Sequence, residues 1–333
     1  MTQITIKSNT KPKRVFAMLL LWVLIVSSLT GCDNRAEALE LAKDGKTSAE
    51  TMAKFYDSLI RDTRDTWELE VYLLNFSRTA KETDVIELTP KQKNLFQTRI
   101  NEIQKRANLA RNLAATYGAL ETFASYDAPA AVQGSVTNLA SSITGLGIIP
   151  LPTSDGKEVD PSKIFGMIAQ DIAAWKQSKD LREGSDLILK TIQKLEYLFY
   201  LEKDAYKYIP AEKGRKILRG ITNCIDKQNC AFTPMKKYLE QMDFESEDVD
   251  KAAKDIPTKF AILGMVTARN DEKTELYMSA ADGIKDALHE LVLNHQKFRN
   301  NEGLSLSGIK QGFERAQAYL DAIQEARKGN KTE

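Results

Sequence analysis

The sequence contains few of the residues on which common catalytic and metal sites depend. Its only histidines are His289 and His295, and its three cysteines are Cys32, Cys224 and Cys230. Six helical steps turn about 600°, which leaves the histidines roughly 120° apart and unable to hold one metal from the same helix. Motifs for a phosphate-binding loop, a serine nucleophile elbow and covalent haem attachment are also absent. We therefore expect no catalytic residue, no metal and no cofactor.

An excess of charge of one sign is also lacking. The chain has 47 Lys and Arg against 46 Asp and Glu, a formal net charge of +1. Residues 1–31 hold four basic and no acidic residues, so the chain from residue 32 onward carries a formal charge of −3. Nucleic-acid binding requires a concentrated basic surface. We therefore expect no nucleic-acid partner.

One long apolar run is present, near the N-terminus. Basic residues at 7–14 precede twelve consecutive apolar residues at 15–26, and Leu-Thr-Gly-Cys follows at 29–32. The run is shorter than the roughly 20 residues needed to span a bilayer, but it suits a signal peptide. The arrangement resembles the signal peptide of bacterial lipoproteins. In that family the chain is cut before the cysteine, which then carries diacylglycerol and usually a further acyl chain. The resemblance implies removal of residues 1–31 and attachment to a membrane through lipidated Cys32.

Asp33 and Asn34 directly follow that cysteine. In Gram-negative lipoproteins, an aspartate directly after the lipidated cysteine is a signal for retention on the inner membrane, and Asp33 resembles that signal. The resemblance therefore implies the periplasmic side of the inner membrane, with the outer membrane as the alternative. Residues 32–46 would form the lipidated N-terminus and a short tether.

Cys224 and Cys230 are predicted to form a disulfide, because a leftover pair in an oxidising compartment favours one. Six residues of continuous helix separate two positions by about 9 Å in rise alone, beyond disulfide reach, so the bond requires a turn between them. Residues 226–229 are suitable turn residues. A metal site is the alternative, but no histidine or further cysteine lies nearby. A redox-active pair is disfavoured, since the spacing is not Cys-x-x-Cys.

Helical periodicity dominates the remaining chain, and strand signals are nearly absent. Four segments approach 35 to 45 residues, and 40 helical residues extend about 60 Å. We therefore predict an all-α fold, an elongated antiparallel bundle of four or five long helices with shorter helices and one apolar insertion. The single domain would span residues 47–328, followed by a tail at 329–333.

Several helix boundaries follow from local signals. A break at Gly45 and a capping box at residues 47–50 predict a helix start there. Thr89 followed by Pro90 predicts another start. Pro210 predicts a helix end, with shorter helices after it.

Residues 128–159 form the apolar, Gly/Ala-rich insertion, with no charged side chain between Asp127 and Asp155. A bundle with such an insertion resembles, in architecture alone, the α-helical pore-forming toxins. That likeness implies membrane insertion of residues 128–152, with Ile148 and Ile149 in contact with lipid. The small residues and prolines equally suit a packed hairpin or cap, which we favour.

An aromatic group lies between residues 197 and 208. Its tyrosines could contact a partner, since aromatic residues often anchor binding interfaces. Because leucines and isoleucine share the stretch, core packing is the favoured interpretation. The candidate partner residues are Tyr197, Tyr200, Tyr206 and Tyr208.

An anchor, a long helical domain and the lack of catalytic motifs together predict a non-catalytic protein. We expect an interaction, adaptor or sensor lipoprotein with an envelope protein as its partner. A membrane-active bundle and a small-ligand receptor are the alternatives, and the second would need a pocket between helices.

Overall fold

The computed structural model describes residues 12–76, 85–126, 129–143, 146–147, 149–151, 181–226, 238, 248, 251, 254–300 and 302–328. Over these residues the protein is helical and contains no strand, so the predicted all-α fold is confirmed. No helix in these ranges combines the length and apolar composition that a membrane crossing requires.

The described residues form seven helices. They are α1 (Pro12–Asn75), α2 (Pro90–Tyr126), α3 (Pro129–Ile143), α4 (Leu181–Leu201), α5 (Lys203–Asp226), α6 (Ile256–Arg299) and α7 (Ser307–Lys328). The 44 residues of α6 make it about 66 Å long at 1.5 Å per residue. Among the described residues, the helices pack together as a bundle.

Pairs of touching residues give the helix directions. Helices α1 and α2 are antiparallel, because residues further along α1 contact residues earlier in α2. The contacts are Lys46 with Glu121, Asp57 with Arg111, and Trp67 with Phe96. Helices α4 and α5 follow one another along α6, and both run antiparallel to it. The ion pairs that show this are Asp186 with Arg299, Glu196 with His289, Lys203 with Asp282, and Asp226 with Lys259. Helix α7 turns back along α6, since Asp286 pairs with Arg315 and Tyr277 with Arg327.

Large aromatic side chains from four of these helices form the centre of the core. Phe55 and Tyr56 of α1 are fully buried and contact the rings of Phe199 and Tyr206. Tyr277 of α6 completes this aromatic cluster against Phe55. A smaller apolar cluster joins α1, α5 and α6 nearer the C-terminal end of α1: Leu69, Ile217, Ile221, Ile225, Tyr238, Ile262 and Val266.

The predicted start of α2 is confirmed by its cap. Pro90 is its first residue, and Thr89 Oγ1 accepts a bond from the backbone N–H of Gln92 at 3.3 Å. The Gln92 side chain accepts in return from the Thr89 N–H at 3.0 Å. This reciprocal pair satisfies two donors that the first turn would otherwise leave open.

The helix start predicted at residues 47–50 is wrong, because α1 continues through them. The Thr47 hydroxyl donates to the Lys43 carbonyl at 3.1 Å, and Ser48 donates to the Asp44 carbonyl. Both hydroxyls therefore bond back along the helix instead of capping it. Gly45 serves a packing role, since a Cβ there would lie 2.3 Å from the Tyr117 ring.

Replacing Gly45 with alanine is expected to lower the free energy of unfolding by about 2–4 kcal/mol, because the new methyl group would overlap a fully buried ring. Helix propensity alone predicts the opposite sign, a gain of about 1 kcal/mol. Gly264→Ala in α6 is the matched control, since nothing lies within 4 Å of its Cβ position. Urea unfolding of both variants tests this; a stabilised Gly45→Ala protein would refute the close contact.

The helix end predicted at Pro210 is also wrong, since α5 passes through this residue. The interruption lies at Glu202 and is slight. The Glu202 N–H donates to the Leu198 carbonyl at 3.0 Å, and the Tyr206 N–H donates to the Glu202 carbonyl at 3.1 Å. Burial of Tyr206 and Ile209 beside the proline outweighs the roughly 3 kcal/mol that an interior proline costs.

Candidate functional site: two buried charge clusters

Two groups of charged side chains lie inside the bundle. The first, named here the clamp cluster, consists of Arg99, Glu102, Arg106, Glu202 and Glu212. The second, the Asp62 cluster, consists of Asp62, Asp65, Lys213, Lys273 and Arg327. Buried charges are costly unless paired, so these clusters constrain the fold more strongly than surface ion pairs.

Arg106 is the centre of the clamp cluster, with a side chain that is fully buried. Its Nε donates to Glu202 Oε2 at 2.8 Å, and its Nη2 donates to Glu202 Oε1, so the pair is bidentate. Nη1 donates to the Glu102 carbonyl at 2.7 Å. Tyr206 also donates to Glu202 Oε2, at 2.8 Å. Burial opposes the charge on Arg106, but Glu202 more than compensates and raises the Arg106 pKa above its ordinary value.

Arg99 lies two turns earlier on the same face of α2 and is equally buried. Its Nη1 donates to Glu212 Oε2 at 2.7 Å. Its guanidinium also lies 5.7 Å from the Phe96 ring centre and 5.6 Å from that of Tyr208. Through Glu202 and Glu212, the two arginines therefore fasten α2 to the junction of α4 and α5.

The same two arginines hold part of the apolar insertion. Arg106 Nη2 donates to the Gly147 carbonyl at 2.6 Å, and Arg99 Nε donates to the Pro150 carbonyl at 3.1 Å. The Gly147 N–H donates to Glu102 Oε2 at 2.7 Å. Ile149 is 2% exposed and belongs to the core. In this structure the apolar side chains of Leu146 and Ile149 are buried in the core, and Ile149 is not available to lipid.

The Asp62 cluster joins α1, α5, α6 and α7. Asp62 Oδ1 accepts from Lys213 Nζ at 2.8 Å and from Arg327 Nη2 at 2.9 Å, and Lys273 Nζ lies 3.7 Å away. Asp65 forms a second pair with Lys213. Burial alone would raise the pKa of Asp62, but the three cations hold it well below its usual range.

Lys273 has the weakest contacts among these cations. Burial is the main cause that lowers its pKa to about 8, and Lys213 and Arg327 lower it further while Asp62 opposes the shift. The cluster contains three cations but two carboxylates, so it retains one excess positive charge.

His295 is buried in the core and forms a hydrogen bond with Tyr117. Its Nε2 lies 2.7 Å from the Tyr117 hydroxyl, and burial lowers its pKa to about 4. His289 is on the surface, with Nδ1 2.9 Å from Glu196 Oε1. Among the described residues, no three His, Cys, Asp or Glu side chains are placed to hold a metal ion.

The four candidate tyrosines separate into three environments. Tyr206 is fully buried against Glu202 and the core, which agrees with the core packing favoured for this aromatic group. Tyr208 is half-buried between the guanidinium groups of Arg99 and Arg215. Tyr197 and Tyr200 are 45% and 68% exposed, and their rings stack with centres 6.5 Å apart.

Other predicted site residues fall outside what the structure describes. These are the side chains of Cys32, Asp33, Asn34 and Cys224, together with all of Ile148 and Cys230. The lipid attachment, the sorting signal and the disulfide therefore stay predictions.

Two open grooves flank the exposed face of α1. The groove between α1 and α7 has a volume of about 530 Å³, with Ile309 and Phe313 among its lining residues and Asp44, Glu50 and Glu314 among its acids. The groove between α1 and α2 has about 510 Å³. Among the described residues that line the two grooves, there is no histidine, cysteine or serine.

Comparison with protein-family models, characterised proteins and solved structures gives no significant match.

Sequence reasoning missed both charge clusters, although α2 carried a usable signal. Arg99 and Arg106 are seven residues apart, and each directly precedes an apolar residue, Ile100 or Ala107. Such a spacing repeats one helix face and could have indicated a buried arginine pair. The Asp62 cluster had no comparable signal, because its members come from four separate helices.

Proposed function

We propose that this protein is a periplasmic, inner-membrane-anchored lipoprotein that acts without catalysis by contacting another envelope protein. Cys32 provides the lipid anchor, and the helical bundle provides the contact surface. The observation that carries the contact is the exposed, stacked pair Tyr197 and Tyr200 on α4.

The position of the tyrosine pair suits a contact held away from a membrane. Phe199, between the two tyrosines, packs on Phe55 and Tyr56 of α1. Twenty-three helical residues separate Cys32 from Phe55, which corresponds to about 35 Å at 1.5 Å per residue. With Cys32 in lipid, the tyrosine pair would face a partner at about this distance along α1.

The chemistry of tyrosine suits such a role. Tyr and Trp supply large contact areas with few rotatable bonds, and they are enriched at the centres of protein interfaces. Because Phe199 and Tyr206 already serve the core, Tyr197 and Tyr200 are not required for packing. Among the four candidate tyrosines, these two are therefore the best-supported partner contacts.

The membrane-active alternative has less support. The backbone carbonyls of Gly147 and Pro150 bind buried arginines, and Leu146 and Ile149 are buried. Insertion would have to remove Arg99 and Arg106 from these partners. A contact role requires no such rearrangement.

In-cell crosslinking tests the proposal. A photoreactive amino acid at position 200 of the full-length protein is expected to capture one discrete envelope protein. The matched control is position 260, because Phe260 is also an aromatic residue and is 67% exposed, against 68% for Tyr200. Mass spectrometry identifies the captured protein.

The expected result is an adduct at position 200 that is absent at position 260 and weakened by Tyr197→Ala. No adduct at position 200, or the same adducts at both positions, would count against a contact through α4. Adducts with lipid in place of protein would favour the membrane-active alternative.

A further inference from the structure

The Asp62 cluster contains buried polar atoms that have no hydrogen-bond partner. Arg327 uses Nη2 to donate to the Ser58 carbonyl, Asp62 and the Tyr277 hydroxyl. Its Nε and Nη1, which together carry three N–H donors, have no acceptor in the described structure. Asp62 Oδ2 also has no donor there, although Asp62 is fully buried. Each such group costs about 1–3 kcal/mol when left unsatisfied, so a bound species that pairs with these atoms would stabilise the folded protein.

The charge of the cluster limits what that species can be. Asp62 and Asp65 face it from α1, Lys213 from α5, Lys273 from α6 and Arg327 from α7. The phenols of Tyr277 and Tyr238 also face it, and burial raises the pKa of each, so both are neutral. Two carboxylates against three cations leave one positive charge, which a single monoanion would neutralise.

Hydrogen-bonding needs narrow the choice further. The free N–H groups of Arg327 require an acceptor, whereas Asp62 Oδ2 requires a donor. These atoms are close together, because Arg327 Nη2 bonds to Asp62 Oδ1 at 2.9 Å. Chloride and formate accept but cannot donate. Water and a protonated oxyanion each do both, but only the oxyanion also supplies the negative charge that would balance the cluster.

We propose that the Asp62 cluster binds a small protonated oxyanion of the hydrogencarbonate or dihydrogen phosphate type. Its acceptor oxygens bind Arg327 and Lys273, and its O–H donates to Asp62 Oδ2. The bound ion would also favour the charged form of Lys273, whose pKa is lowered in its absence. This site is independent of the lipid anchor and of the contact through α4.

Thermal unfolding of the purified protein tests the site. Hydrogencarbonate or phosphate is added at pH 7 and compared with formate and chloride at the same ionic strength. At least one protonated oxyanion is expected to raise the unfolding temperature by several degrees in a saturable way, as a ligand of the folded state must. Formate and chloride are expected to give smaller, non-saturating changes.

Lys273→Met separates a specific site from a general salt effect. This variant removes the excess positive charge and is expected to weaken the apparent affinity at least tenfold while remaining folded. Lys43→Met is the control, because it removes an exposed lysine of α1 far from the cluster in sequence, and it should leave the response unchanged. A response that Lys273→Met leaves intact, an equal response to formate, or no response beyond that of chloride would each overturn the proposal.

Discussion

Replacing Arg106 with methionine is expected to lower the free energy of unfolding by about 3–5 kcal/mol, because it leaves a buried carboxylate without its partner. Glu202 is 4% exposed and accepts two bonds from Arg106, so water cannot replace them without opening the core. The Gly147 carbonyl would lose its donor as well. Urea unfolding of the variant and the wild-type protein measures the difference.

Arg111→Met is the matched control for this experiment. Arg111 lies on the same helix and pairs with Asp57 at 2.6 Å, but both side chains are largely exposed. Exposed pairs contribute about 0–1 kcal/mol, so only a small change is expected. The double variant Arg106→Met with Glu202→Gln should recover part of the lost stability, because it removes the unpaired charge. Equal losses for Arg106→Met and Arg111→Met would contradict a buried clamp.

Replacing Lys273 with methionine is expected to have the opposite effect and to stabilise the protein. Burial among Lys213 and Arg327 lowers the pKa of Lys273 from 10.5 to about 8. Keeping this lysine charged below pH 8 therefore costs the folded state about 3 kcal/mol relative to a group with an unshifted pKa. Methionine has a similar length and no charge, and Asp62 and Asp65 would then face two cations in place of three. Stability at pH 7, in buffer without protonated oxyanions, is expected to rise by about 2–3 kcal/mol.

The pH dependence gives this prediction a second readout. Between pH 8 and pH 10.5 the unfolded chain binds more protons at Lys273 than the folded protein does. The wild-type protein should therefore gain stability from this group as the pH rises through that window, and Lys273→Met should lack the gain. A variant that is less stable than wild type at pH 7 and keeps the same pH profile would show that Lys273 is not a strained cation.

Local sequence signals predicted the helical elements well where packing agreed with them. Thr89 and Pro90 begin α2 because a capping side chain and a proline both suit the first turn of a helix. The same type of reasoning failed at Gly45 and Pro210. At both positions a locally unfavourable residue lies in a continuous helix, because its neighbours pack against other helices.

The two charge clusters could not be predicted from local sequence signals, because their members are far apart in the sequence. Arg106 meets Glu202 across 96 residues, and Arg327 meets Asp62 across 265 residues. Such pairs depend on the order and direction of helices, which periodicity alone does not give.

The lipid anchor is tested most directly by mass spectrometry of the mature protein purified from cell membranes. The expected N-terminal residue is Cys32, with a thioether-linked diacylglycerol and an added acyl chain, and Cys32→Ala should accumulate as unlipidated precursor. An intact N-terminus that still includes residues 1–31, or a mature chain with an unmodified Cys32, would contradict a lipid-anchored protein.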